Sequence, residues 1–192
     1  MMTDQFVPTV NVETPDVPRR FVFVLLDQFT LLCYSCAVES LRIANRMAGK
    51  TLYDWRVIGE GGETAICSAG TAFKLDGGLD ETKRGETVVI CGGLDVATAT
   101  TKPVLNWIRR EARRGTSFGG LCTAGYTLAR AGLLDGKKAT IHWENQDSFL
   151  EEFENVELTK SVFVIDGKTF TTAGGTASIL SLIHISEPTR PY

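Results

Sequence analysis

The sequence places one cysteine, Cys122, where a side chain could act as a nucleophile. It stands in "TSFGGLCTAGYTLARAG", between an apolar run that predicts a strand and a small-residue run that predicts a helix. A tight strand-to-helix turn exposes its central side chain, and the helix N-terminus lowers the pKa of a thiol there. The alternative is an inert buried cysteine, the more common case. The glycines and alanines around Cys122 favour a functional site.

The first histidine of the chain, His142, follows in "KATIHW", where a strand is predicted. An imidazole can take the proton of a thiol, so Cys122 and His142 form a candidate nucleophile and base. A histidine between Ile141 and Trp143 is also consistent with a hydrogen-bonded core residue. From the spacing alone, both interpretations stay open.

Alternating strands and helices must position these residues. Apolar runs at "RFVFVLL", "ETVVICGG" and "TSFGGLC" predict three central strands that are buried on both faces. Helical spacing in "CAVESLRIANRMAG" stops at Gly49, and a second helix is expected from about Lys102 to Arg114. A hairpin is expected to turn at Asp166-Gly167. This order predicts a mostly parallel sheet between two layers of helices.

Two stretches carry a resemblance to a known family. "LCTAGYTLARAGLLDGKKATIHW" and "TTAGG" resemble the amino-terminal domain of GlxA-like regulators of the AraC family, within the ThiJ/PfpI branch of the class I glutamine-amidotransferase-like superfamily. The resemblance extends from Phe21 to Ile179. It implies a flavodoxin-like three-layer α/β/α sandwich with a mostly parallel central sheet, usually as a dimer.

The resemblance also implies a site around the elbow. Cys122 takes the nucleophile-like position, His142 the base-like position, and the glycine pair of "VICGGLD" lies beside them. The backbone N–H groups of Gly93 and Thr123 would then be arranged as an oxyanion hole. The implied ligand-binding residues are Gly92, Gly93, Cys122, Thr123 and Cys33.

One position departs from the pattern of the family's enzymes. Those enzymes carry an Asp or Glu in an "FSLLD"-like stretch that points at the cysteine, whereas this chain reads "FTLLC", with Cys33 at the acid's position. A thiol does not replace the carboxylic acid of the hydratase chemistry, and general acid–base help is worth ~10²–10⁴ in rate. We therefore expect a pocket that is kept while the enzymatic reaction is lost.

"CYSC", from Cys33 to Cys36, matches a Cys-x-x-Cys pattern. Near a βαβ unit this pattern can indicate thioredoxin-like redox chemistry, but two small residues at a helix start explain it as well. A further hypothesis is that Cys33 and Cys122 approach each other and form a redox-sensing disulfide.

Composition excludes several classes of function. The 192 residues are 43% hydrophobic and carry a net charge of −3, which gives no global reason to bind nucleic acid or an anionic membrane. The arginines of "RREARR" are explained by a solvated helix end that complements the helix dipole. The chain has no G-x-G-x-x-G, no phosphate loop and no H-E-x-x-H motif, so we expect no cofactor and no metal.

The chain divides into three parts. Residues 1–20 are predicted to form a flexible tail, residues 21–180 the folded domain, and residues 181–192 a non-native or truncated end, since "LSLIHISEPTRPY" resembles read-through of cloning sequence. No apolar run reaches the ~18–20 residues of a membrane span, and the start does not read as a secretory signal. Five cysteines without framework spacing predict a reducing, cytoplasmic location.

Three functions compete on these observations. The leading hypothesis is a small-molecule-sensing domain of an AraC-family regulator with a degenerate cysteine site. It would bind a nitrogen-containing or anionic metabolite, form a homodimer, and contact DNA only through a C-terminal domain outside this chain. The alternative is a stand-alone cysteine-dependent hydrolase or hydratase of the ThiJ/PfpI superfamily. The third is a redox-responsive chaperone or protective protein.

Overall fold

A computed structural model describes residues 17–177 and residue 179 of the chain. The tail over residues 1–16 and the end over residues 181–192 lie outside the described residues, so the predictions made for them stay predictions. Within the described residues, no helix has the length and apolar character needed to cross a membrane.

Six strands form the central sheet, in the order β2-β1-β5-β6-β10-β9. The first five of these are parallel neighbours, and β9 pairs antiparallel with β10 at the edge. Their bounds are β1 Arg19–Leu25, β2 Tyr53–Ile58, β5 Glu86–Cys91, β6 Ser117–Leu121, β9 Phe163–Asp166 and β10 Thr169–Thr172. The predicted central strands and the hairpin at Asp166-Gly167 are confirmed, although β1 begins inside the predicted tail.

In the part of the chain that the structure describes, two small sheets lie outside this one. The first pairs β3, Thr64–Ile66, with β4, Ala72–Lys74, in an antiparallel arrangement. The second pairs β7, Lys138–Ala139, with β8, Glu157–Leu158, in parallel.

Five helices with described bounds accompany the strands. They are α1 Leu31–Ala48, α2 Val96–Ala99, α3 Lys102–Arg113, α4 Gly125–Arg130 and α5 Gln146–Glu152. The first ends where Gly49 adopts a left-handed conformation with φ 63°, a geometry that costs glycine little. The third starts at Thr101, whose side chain accepts a hydrogen bond from the N–H of Val104. Both ends agree with the sequence predictions.

The sheet is covered on both faces, so the three-layer prediction is confirmed. Alternate residues of β1 point to opposite sides because successive side chains of a strand alternate. Phe21 and Phe23 pack in one core with Leu41 of α1, and Val22 packs in the other with Ile108 of α3. Parallel strands buried on both faces explain why the central segments are almost continuously apolar.

The strand predicted over "KATIHW" is wrong for most of its length. Only Lys138 and Ala139 are extended in a ladder, and they pair with β8 rather than with the central sheet. At Thr140, hydrogen bonds that involve side chains replace the ladder: the N–H of Thr140 donates to Oγ1 of Thr171, and Oγ1 of Thr140 donates to the carbonyl of Ser161. His142 therefore lies outside any strand, directly before a short 3₁₀ segment at Trp143–Asn145.

Candidate functional site

Cys122 lies on the strand-to-helix turn that the sequence predicted. It follows β6 and opens a 3₁₀ segment, Cys122–Ala124, that runs directly into α4. Its φ is +62°, in the left-handed region that non-glycine residues seldom adopt. A strained residue at this point of the chain is the geometry of a nucleophile elbow.

Neighbouring glycines allow this turn to pack tightly. A Cβ at Gly92, after β5, would lie 2.6 Å from the N of Ala124, and one at Gly120 would lie 3.0 Å from the N of Gly125. A Cβ at Gly93 would lie 1.9 Å from the carbonyl oxygen of Gln28. Side chains at these positions would push the elbow and the neighbouring loops apart, so the glycines are required by close backbone approach.

The thiol itself is buried, which corrects the prediction of an exposed side chain. Only 5% of Cys122 is accessible. The turn after β10 covers it: a Cβ at Gly174 would lie 3.3 Å from Sγ of Cys122 and 3.0 Å from Cδ2 of His142. This turn belongs to the "TTAGG" stretch, whose position over the elbow was not predicted.

Cys33 lies against this buried thiol. It is fully buried on the first turn of α1, and its thiol donates a hydrogen bond to the sulfur of Cys122. The N–H of Gly175 donates to Sγ of Cys33 over 3.1 Å. Oγ1 of Thr30, the residue before α1, lies 3.6 Å from Sγ of Cys122. Neither Thr30 nor Gly175 was predicted as part of the site.

These contacts shift the pKa values of the two thiols in opposite directions. The pKa of Cys122 is lowered to about 6, and the hydrogen bond from Cys33 is the largest cause. Thr30, the charge of His142 and the N–H of Thr123 lower this pKa further, while burial raises it. The same hydrogen bond, together with burial, raises the pKa of Cys33. At neutral pH the site therefore holds one thiolate and one thiol.

His142 lies beside the elbow, at the place that the family resemblance implied. Its backbone N–H donates to the carbonyl of Cys122 over 3.3 Å. The ring is partly exposed, and its Nδ1 lies 3.6 Å from the carboxylate of Glu144, a neighbour that was not predicted from the sequence. The imidazole thus influences the thiol as a nearby charge, with its Nδ1 turned to a carboxylate.

The backbone N–H groups of Gly93 and Thr123 were predicted to form an oxyanion hole, and the two residues do lie close together, but with other contacts. The N–H of Thr123 contacts the sulfur of Cys122, and Oγ1 of Thr123 donates to the carbonyl of Gly93 over 2.8 Å. Gly93 forms an isolated antiparallel bridge with Phe29. Gly93 therefore meets the elbow through its carbonyl oxygen, whereas the prediction used its N–H.

A cavity of about 330 Å³, which no sequence pattern predicted, opens at the carboxyl ends of β1 and β5. Among the described residues, the charged side chains that line it are all acidic: Asp27, Glu60 and Asp95. None of the predicted ligand-binding residues lines this cavity. The loop from Asp27 to Thr30 separates it from the thiols, because Gln28 lines the cavity while Thr30 contacts Cys122.

Within residues 17–177 and 179, no group of three or more His, Cys, Asp or Glu side chains is placed to hold a metal ion. All five cysteines are free thiols.

Known regulators resemble the chain over most of its length. It is 40% identical over 161 residues to the HTH-type transcriptional regulator CdhR of Pseudomonas aeruginosa, covering 84% of this chain and 48% of that protein. It is 36% identical over 167 residues to the HTH-type transcriptional regulator GlxA of Rhizobium meliloti, covering 86% of this chain and 51% of that protein. The chain thus spans about half the length of these relatives.

Solved structures show the same fold. The crystal structure of an AraC family transcriptional regulator from Pseudomonas putida superimposes with a TM-score of 0.76 at 24% identity, covering 88% of this chain and 90% of that one. The flavodoxin-like architecture predicted from the sequence is confirmed. The model of the DJ-1/PfpI family matches residues 19–187, and the chain belongs to this family.

Proposed function

We propose that this chain is the small-molecule-sensing half of an AraC-family transcriptional regulator, with a cysteine site that is no longer enzymatic. The observation that carries this proposal is Cys33, whose thiol lies against Cys122 at the position where family enzymes carry a carboxylic acid. Burial and the hydrogen bond to Cys122 raise the pKa of Cys33, so its proton is held rather than delivered. A hydratase or hydrolase cycle needs a group that gives up and regains a proton.

The effector is proposed to bind at the carboxyl edge of the sheet. Open α/β sheets bind ligands in the crevice beyond the carboxyl ends of their strands. The cavity between the β1 and β5 loops has this position and is large enough for a small metabolite. Because its charged lining residues are all acidic, it favours a ligand with a cationic nitrogen over an anion.

The remaining parts of the proposal concern partners and location. DNA would be contacted by a helix-turn-helix domain outside this chain, as the names of CdhR and GlxA indicate for those relatives. A homodimer fits a regulator that reads paired half-sites. Free thiols at all five cysteines fit a reducing compartment, and we propose a cytoplasmic location.

A thermal-shift screen tests the sensing function. Small amine, quaternary-ammonium, carboxylate and neutral metabolites are added to the purified chain, to Asp95→Asn, and to a control, Glu154→Gln, whose exposed carboxylate does not line the cavity. We expect cationic compounds to raise the melting temperature of the chain and of the control, and to do so less in Asp95→Asn. A shift produced only by anions, or equally in all three proteins, would contradict the proposed cavity.

A cysteine-dependent hydrolase or hydratase is the second candidate. The strained elbow and the thiolate of Cys122, with its pKa of about 6, favour it. Ester, amide and isocyanide substrates are incubated with the wild type and with Cys122→Ala. We expect no turnover above the Cys122→Ala background. Turnover by the wild type that Cys122→Ala abolishes would replace the sensor proposal by the enzyme.

A further inference from the structure

A groove with a high positive charge lies at the amino edge of the central sheet, where the parallel strands begin. We propose that this groove binds an oligophosphate, which is a small molecule with several linked phosphate groups. The acidic cavity lies at the opposite edge of the sheet, so this site does not depend on whether the chain senses a cationic metabolite.

Sheet order brings the walls of the groove together. The first residues of β1, β5 and β6 line it, as does the turn between β9 and β10, and the strands β1, β5, β6 and β10 are consecutive neighbours in the sheet. The groove has a volume of about 820 Å³, which is within the range of small-molecule sites. Its cationic lining residues come from four separate segments: Arg19, Lys83, Arg84, Arg114 and Lys168.

The acidic lining residue of the groove is already paired. Glu86 is buried at the start of β5, and its carboxylate lies 3.1 Å from the guanidinium of Arg56. It also accepts a hydrogen bond of 2.8 Å from the N–H of Lys83. Among the described residues that line the groove, no other carboxylate opposes the cationic side chains. The groove therefore keeps a net positive charge.

Internal partners explain only a part of this charge. Arg114 pairs with Glu81, and Lys168 donates a hydrogen bond to a backbone carbonyl. Lys83 and Arg84 are exposed, and their side chains have no ion pair or hydrogen bond within the part of the chain that the structure describes. Because like charges repel each other, two adjacent cations without a carboxylate partner favour an anion from outside.

A hydrogen bond joins the two loops that form the walls. Oγ1 of Thr82, before β5, lies 2.9 Å from Oγ1 of Thr116, before β6. The hydroxyl of Thr82 is also 2.8 Å from the buried carboxylate of Glu111. The groove is therefore already formed without a ligand, and a preorganised site loses less entropy on binding.

The types of lining residue select the class of ligand. The planar guanidinium of Arg84 can donate two parallel hydrogen bonds to phosphate oxygens, while Lys83 and Lys168 supply point charges. Thr87 and Ser117 add hydroxyl groups that can donate as well. An oligophosphate carries several charges along one short chain, so it can contact cations on several walls at once. A single carboxylate cannot do so.

Calorimetric titration tests the proposal. The purified chain is titrated at constant ionic strength with inorganic phosphate, pyrophosphate and tripolyphosphate, and with citrate as a multiply charged carboxylate. We expect the affinity to rise with the number of linked phosphate groups, and citrate to bind more weakly than tripolyphosphate. ATP is added as a further probe: a higher affinity than that of tripolyphosphate identifies a nucleotide as the source of the phosphates, and an equal affinity identifies the phosphate chain alone.

Two double variants of equal charge show whether binding occurs in the groove. Lys83→Gln with Arg84→Gln removes two cations of the groove, and tripolyphosphate should bind about tenfold more weakly or less. Lys74→Gln with Lys160→Gln removes the same charge from exposed positions outside the groove, and the affinity should change less than about threefold. Circular dichroism verifies that both variants are folded, as expected for exposed side chains.

Several results would overturn the proposal. These are the absence of tripolyphosphate binding to the wild type, equal losses of affinity in the two double variants, and citrate binding as tight as that of tripolyphosphate. Duplex DNA of random sequence is titrated in parallel. If the DNA binds, loses affinity in Lys83→Gln with Arg84→Gln, and tripolyphosphate does not bind, the groove is a nucleic-acid surface and the proposal is wrong.

Discussion

Each edge of the sheet buries an ionisable group, and the two groups are stabilised by different kinds of partner. At the amino edge, Glu111 of α3 is fully buried and accepts hydrogen bonds from Thr82, at 3.1 Å to its N–H and 2.8 Å to its hydroxyl, and from Arg110 at 2.7 Å. At the carboxyl edge, Cys122 is buried against a second thiol and a threonine. One group is paired with a cation, and the other is held mainly by neutral donors.

This difference separates a structural group from a reactive one. Although burial opposes ionisation, the hydrogen bonds from Arg110 and Thr82 hold the pKa of Glu111 below its ordinary value. Its carboxylate is paired with Arg110 and bonded to Thr82, so the cluster joins α3 to the segment before β5. Cys122 has no arginine or lysine partner among the groups that shift its pKa, and the hydrogen bond from Cys33 is the largest of the causes that lower this pKa. A charge held this way is available to react.

The largest expected effect is at the carboxyl edge, where backbone segments are in close contact. Gly93→Ala places a Cβ 1.9 Å from the carbonyl oxygen of Gln28 and 2.7 Å from the N of Thr30. Since backbone cannot move aside as a side chain does, we expect a loss of about 3 kcal/mol or more in the free energy of unfolding. Urea denaturation measures it. The control Gly61→Ala meets only one atom, at 4.0 Å, and should change little; equal losses in both variants would disprove the close-contact explanation.

At the amino edge, removing the carboxylate of Glu111 should lower the free energy of unfolding. Glu111→Ala leaves the donors of Thr82 without their acceptor, and we expect a loss of about 1–3 kcal/mol in the free energy of unfolding. The matched control is Glu152→Ala, which removes an exposed carboxylate paired with Arg130 and should cost less than about 1 kcal/mol. Comparable losses in the two variants would show that the buried cluster has no special structural role.

Much of this arrangement was predictable from local sequence. The apolar runs around Phe21 and Val88 predicted buried parallel strands, and the small residues on either side of Cys122 predicted the elbow, because each pattern is set by neighbours in the chain. Comparison with the family pattern identified Cys33 as the residue at the acid's position.

The contacts that bury the site were not predictable in the same way. Gly174 covers Cys122 because β10 lies next to β6 in the sheet, a pairing between segments that are far apart in sequence. The buried position of Glu111 was missed because the surrounding arginines in "RREARR" are typical of a solvated helix end. The "KATIHW" strand was wrong because the N–H of Thr140 donates to a side-chain oxygen, Oγ1 of Thr171, and not to a neighbouring strand, which periodicity does not reveal.

A smaller effect is expected from the turn that covers the thiols. Gly174 and Gly175 both have positive φ, 101° and 58°, so alanine at either position costs ~1–2 kcal/mol in backbone strain. Only at Gly174 would the new methyl group contact Sγ of Cys122, at 3.3 Å, while nothing lies within 4 Å at Gly175. We expect Gly174→Ala to change the rate at which iodoacetamide alkylates Cys122 at least threefold. Gly175→Ala should leave that rate near the wild-type value, and equal rates in both variants would contradict the covering role.

The most direct measurement is the titration of Cys122 by its thiolate absorbance in the ultraviolet, taken as the difference between the wild type and Cys122→Ser. The thiolate should be present at neutral pH and should be lost as the pH falls through about 6. Cys33→Ala removes the main cause of the lowered pKa, so its midpoint should move up toward the ordinary value of 9.0, while Cys33→Ser, which keeps a donor, should move less. A wild-type midpoint near 9.0, or the same midpoint in Cys33→Ala, would contradict the paired-thiol site.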